Sequence, residues 1–195
     1  MNPSTATKYH SPETPQQYRV LDSVVQQAHR LRALFELPGL PDEERGACTT
    51  YSLILAEVLG EYGIKAEVRA VFIITANRAA LDAARGKITR EEAIKRDARI
   101  QVWGDIERGQ SYQHAVCYIP DWNVVVDLGM TRRASRLVPS HPYWAEVGKF
   151  PWWLVVFEFR TYRLEYAAYE TQPGAVEEAK KILRKALGKG PYLRS

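Results

Sequence analysis

Three residues in the sequence have types that together perform nucleophilic chemistry: Cys48, His114 and Asp127. Cys48 follows the charged, proline-bearing segment "PGLPDEERGA" and opens an apolar run, "CTTYSLILAEVLGEYG". Leu55, Leu59 and Tyr62 recur there at helical spacing, beside Ile54 and Val58. The pattern predicts a helix from the cysteine to about Tyr62, capped by Gly63. Unpaired N–H groups and the helix dipole favour negative charge at a helix N-terminus, so a thiol there is drawn towards thiolate. A thiolate nucleophile works with a base, and the base with a group that orients it.

His114 supplies the base. It lies in "SYQHAVCYIPDWNVVVDLG", where two strand-like runs flank a turn signal at Pro120 and Asp121. A hairpin centred between those two residues, with a four-residue loop, places His114 directly opposite Asp127 on one face of a sheet. Opposed residues have Cβ atoms about 4.5–5.5 Å apart. At that range a carboxylate fixes the imidazole tautomer and steadies the imidazolium. Cys117 has the opposite parity on the same strand and is expected in the core, whereas Cys48 is expected to pack against the His114 face.

These residues need a scaffold. Gln16 to Leu37 carries an apolar stripe of Tyr18, Leu21, Val24, Val25, Ala28 and Leu31, which predicts one helix stopped by Pro38 and Pro41. Ile64 to Ile74 alternates and then turns apolar, as a central strand does. Residues 77–98 read as a polar helical insertion, with Thr89 and Glu92 spaced as a capping box. "ARIQVWGDI", "SYQHAVCYI", "WNVVVDL" and the long "WWLVVFEFRTYRLEY" read as strands. Residues 174–188 predict an amphipathic basic helix, with Val176, Ala179, Leu183 and Leu187 inward and Lys180, Lys181, Arg184 and Lys185 towards water. Helices first and strands later suggest an α+β fold with an antiparallel sheet. Residues 1–14 read as a flexible arm and 15–195 as a single domain.

Composition narrows the function. With 195 residues and 46% hydrophobic content, the chain can bury one sizeable core. A formal charge of +4 is low for a dedicated nucleic-acid binder, which weighs against that use of the basic C-terminal helix. Two cysteines make neither a disulfide framework nor a four-cysteine zinc site, and no metal or organic cofactor is expected. The polar N-terminus lacks a secretory core segment, and no apolar run approaches the ~20 residues that span a bilayer. The sequence reads as soluble and cytoplasmic, without a membrane partner. Trp122, Trp152 and Trp153 could either wall a cleft or pack the sheet.

The two blocks resemble the transglutaminase-like branch of the papain-like superfamily. A cysteine opens a helix that leads through "LAEVLGEYGIKAEVRAVFI" into a strand. "HAVCYIPDWNVVVDLG" then gives a histidine on a strand, a turn with a tryptophan, and an aspartate ending the next strand. Together they cover roughly residues 46–130. The resemblance implies a papain-like core, with a Cys-bearing helix on an antiparallel sheet flanked by N- and C-terminal helices. It implies Cys48 as nucleophile, His114 as base and Asp127 as orienting acid, attacking peptide or glutamine side-chain amides through a thioester. The substrate would be a peptide or protein. "PDEERGA" holds no glutamine to act as a second oxyanion donor. A catalytically silent binding protein on the same scaffold is the alternative.

Overall fold

The apolar stripe near the N-terminus folds as two helices rather than one, α1 (Pro15–Gln26) and α2 (Ala28–Phe35). The break falls at Gln27, whose N–H donates to the carbonyl of Val24, three residues back, tightening the turn. In this computed structural model, residues 15–35, 47–103, 114–129, 143–148, 154–156 and 174–188 are described. The arm at 1–14, the proline-bearing loop at 38–46, residues 157–166 of the long aromatic strand, and Trp152 and Trp153 lie outside them.

Helix α3 (Ala47–Glu61) begins one residue before Cys48. Gly63 ends it with φ 74°, a left-handed conformation that glycine adopts without cost. The Ile64 N–H bonds the Leu59 carbonyl and the Gly63 N–H bonds the Gly60 carbonyl, which caps the helix and turns the chain towards the sheet. The sheet has strands β1 (Glu67–Ala76), β2 (Ile100–Trp103), β3 (His114–Ile119), β4 (Val124–Asp127), β5 (Tyr143–Glu146) and β6 (Leu154–Val156). Its order is β2-β1-β3-β4-β5, with β6 also pairing β1, and every pairing is antiparallel. Strand β5, in "YWAEV", was not expected from the sequence.

Between β1 and β2 the polar excursion forms two short helices, α4 (Arg78–Ala84) and α5 (Arg90–Lys95). Asn77 caps the first, accepting from the Ala80 N–H at 3.0 Å. Thr89 caps the second, accepting from the Glu92 N–H at 3.2 Å. Helix α6 (Ala175–Leu187) closes the described chain.

Helices α1, α2, α3 and α6 share one core with one face of the sheet. Val20, Leu21, Val24, Leu31, Ile54, Leu55, Val58, Leu59 and Leu183 meet Cys117, Ile119, Val124, Val126 and Leu128 there. The inward residues of α6 are as the sequence predicts, but two of its cations pair with another helix rather than pointing into water. Lys180 pairs with Glu57 at 2.7 Å, and Arg184 grips both oxygens of Glu61 at 2.7 Å. Those partners lie on α3, so part of the positive face is neutralised within the fold.

Burial ranks the stability of this core. Leu183 is fully buried, so Leu183→Ala should cost about 2–5 kcal/mol in urea unfolding. Ile94→Ser, at a position 69% exposed, should stay within about 0.5 kcal/mol of the unaltered chain.

Candidate active site

The β3–β4 ladder runs from Ile119↔Val124 to Cys117↔Val126 and then stops. Continued for one more hydrogen-bonded pair, it would set Ala115 opposite Leu128. The first turns of α3 take that place beside β3. The Ala115 N–H donates to the sulfur of Cys48, and the buried Ser52 hydroxyl donates to the Ala115 carbonyl at 3.2 Å. Cys48 and Ser52 are four residues apart, hence on one side of the helix. On the other side of the gap, the Leu128 carbonyl accepts from Arg32 of α2 at 3.4 Å. The helix start is thus wedged between the ends of two strands.

Gly129 sets how close the wedge comes. A Cβ there would lie 2.6 Å from the Cys48 Cβ and 2.7 Å from its Cα, closer than atoms can pack. The Gly129 N–H also donates to Asp127 Oδ1 at 2.8 Å. Gly129, two residues after Asp127, therefore both holds the carboxylate and makes room for the cysteine.

Asp127 Oδ2 lies 2.7 Å from Nε2 of His114. The pairing differs from the expected one. The hairpin loop has four residues, 120–123, but its centre falls one residue later than the sequence reading placed it. A turn of 3-10 helix at Pro120–Trp122 closes on Asn123, left-handed at φ 52°. His114 and Asp127 are consequently diagonal neighbours, not directly opposed. A shift of two residues keeps both side chains on the same face, because the side-chain period of a strand is two. The carboxylate is wholly buried and the histidine side chain 17% exposed.

The position of α3 also departs from expectation. The helix packs on the face that carries Cys117, opposite the one that carries His114 and Asp127. Only its N-terminus reaches the histidine. A main-chain N–H lies in the plane of its sheet, so the Ala115 bond holds the Cys48 sulfur level with the strands. From there the sulfur hydrogen-bonds the His114 ring. Since Nε2 is engaged by Asp127, Nδ1 is the ring atom left for the sulfur.

Burial is the largest single influence on Cys48 and opposes its thiolate. The hydrogen bond and charge of His114, together with the Ala115 N–H, outweigh it and bring the thiol below its ordinary value. For His114 burial again acts first, against the imidazolium. The charge and hydrogen bond of Asp127, reinforced by Cys48, overcome it and push the imidazole up to about 10. Both shifts favour a thiolate–imidazolium pair. Burial alone drives the Cys117 thiol up.

The structure thus brings Cys48, His114 and Asp127 together and leaves Cys117 in the core. Trp122 packs on the helical core at the far end of β3, about 17 Å along the strand from His114, so it does not wall this site. Sequence reasoning missed Ser52, Ala115 and Gly129. The helical spacing of Ser52 from Cys48 was a usable signal; the close approach at Gly129 has none without the fold. Among the described residues no cluster of His, Cys, Asp or Glu could hold a metal ion, and no helix is long and apolar enough to cross a membrane.

Gly129→Ala should force Asp127 and Cys48 apart. Reaction of Cys48 with limiting iodoacetamide at pH 6 should fall at least tenfold, while far-UV circular dichroism keeps the helical signal. Unchanged labelling would mean that the strand end yields without disturbing the pair.

No family model, curated protein or solved structure matches the chain, so the chemistry rests on the geometry of these residues.

Proposed function

We propose that the chain is a cysteine-nucleophile enzyme with a transglutaminase-like, papain-like core, acting on peptide or glutamine side-chain amides. One observation carries the reading: a buried carboxylate holds one nitrogen of His114 at 2.7 Å while the ring meets, on its other side, a cysteine at a helix N-terminus. A core cysteine needs none of these partners, and Cys117 has none of them.

In the proposed reaction the Cys48 thiolate attacks the amide carbonyl carbon, and the carbonyl π electrons move to oxygen. The Cys48 main-chain N–H, in the first turn and so without a helical partner, faces the developing oxyanion. The tetrahedral intermediate collapses, the C–N bond breaks, and His114 gives its Nδ1 proton to the departing nitrogen. A thioester remains. Water, deprotonated by the now neutral His114, attacks it and restores the thiolate; an amine in place of water gives transfer. Asp127 keeps Nε2 occupied throughout and stabilises the imidazolium.

The reading is tested first without a substrate. At pH 6, limiting iodoacetamide should label Cys48 and spare the buried Cys117, and His114→Ala should shrink that preference by slowing the Cys48 reaction, read by mass spectrometry of the peptides. Equal labelling of both cysteines, or Cys48 labelling indifferent to His114, would leave a silent scaffold as the better account.

Turnover gives the second test, with glutamine-containing peptides assayed for ammonia release and for cleavage. Asp127→Ala should lower turnover by roughly 10⁴-fold, and Cys48→Ala by more, because Asp127 positions the base without reacting. An Asp127→Ala enzyme with full turnover would assign the orienting role elsewhere.

A further inference from the structure

The reading above uses Cys48, His114 and Asp127, but it leaves a buried hydroxyl at the same site without a role. Ser52 is 3% exposed and lies one helical turn beyond the nucleophile. Its hydroxyl donates to the carbonyl of Ala115, the residue whose N–H donates to the Cys48 sulfur. In an antiparallel strand the N–H and C=O of one residue point the same way, and normally both go to the neighbouring strand. Here the neighbour has stopped at Cys117↔Val126, and the two groups go instead to two side chains of a single helix. We propose that Ser52 is a positioning residue of the active site: its bond to the Ala115 carbonyl aims the Ala115 N–H at the sulfur of Cys48.

The proposal deepens the enzyme reading and rests on it. A peptide unit is planar, and the φ and ψ of Ala115 fix the angle between its N–H and its C=O. Anchoring the carbonyl therefore restricts the direction of the N–H. The N–H stabilises the sulfur only in its anionic form to full effect, because hydrogen bonds to a charged acceptor are the stronger ones. His114 donates to the same sulfur, while the Asp127 charge opposes the thiolate from beyond the ring. Among the described residues these are the ionisable groups that act on Cys48. The Ala115 N–H differs from both in carrying no titratable proton, so its contribution is constant across the working pH range. A serine that merely packed the helix on the strand would affect stability and leave the sulfur's titration alone.

The test is the pH profile of Cys48 alkylation by iodoacetamide, run on the full chain with far-UV circular dichroism as the control for folding. Ser52→Ala should keep the helical signal and move the midpoint up by about one pH unit, the size expected for a weakened hydrogen bond to a charged group. The rate at pH 6 should drop about tenfold in parallel. Ser52→Thr keeps the hydroxyl and should keep the midpoint. A folded Ser52→Ala chain with an unaltered midpoint would overturn the proposal. So would a folded Ser52→Thr chain with a raised midpoint, and that arm decides if the alanine variant does not fold. If Cys48 of the unaltered chain titrates as an ordinary thiol, or ignores His114→Ala, the enzyme reading falls and this role of Ser52 falls with it.

Discussion

The main-chain N–H and C=O of Ala115 have to be satisfied, and the pairing with β4 that would satisfy them stops two residues too early, at Cys117↔Val126. A buried amide without a partner is expensive, so something must fill the gap. The helix that fills it does so with a thiol and a hydroxyl on one side of its first turns. Everything else at the site follows from that exchange. The helix start is locked to the strand, the strands part around it, and the carbonyl released at Leu128 turns to Arg32. Only a glycine at 129 lets the returning chain pass the cysteine.

The same arrangement solves a problem of layers. The helices bury one face of the sheet, and the histidine and aspartate stand on the other. A helix cannot ordinarily present a side chain through a sheet. By ending in the sheet's own plane, α3 presents its cysteine at the boundary between the layers. The proposed nucleophile then has the apolar core behind it and the imidazole in front. Burial in such a place opposes charge, and the paired ions, not exposure to water, are what tip Cys48 towards the thiolate.

Much of this was legible in the sequence because strand geometry is periodic. His114, Cys117 and Asp127 were sorted to their faces by parity, and parity survived an error of two in the register. The error came from the turn: Asn123 takes a left-handed conformation and extends the loop past Trp122, a choice that local preference alone does not dictate. The stripe of α1 and α2 predicted helix correctly over its length but gave no sign of the break at Gln27, since an apolar stripe continues across a tightened turn. Strand β5 escaped notice because four residues are too few to show alternation. The pairing of Lys180 and Arg184 with Glu57 and Glu61 joins residues more than a hundred positions apart, and the fold alone brings them together.

Asn77 has a consequence for how the excursion between β1 and β2 relates to the rest. Its side-chain oxygen accepts from both Ala80 and Arg99, at 3.0 and 3.1 Å, and its amide donates to the Asp97 carbonyl at 2.7 Å. One side chain thus sews together the two stalks of a long loop at the point where the ladder begins, Ala76↔Ile100. The entropy of closing the loop is met at its base, and lengthening a closed loop adds only slowly to that cost. Residues 78–98 behave as a pendant cassette. Their length and surface can change without re-registering the sheet beneath, provided the asparagine stays where the cassette is stitched on.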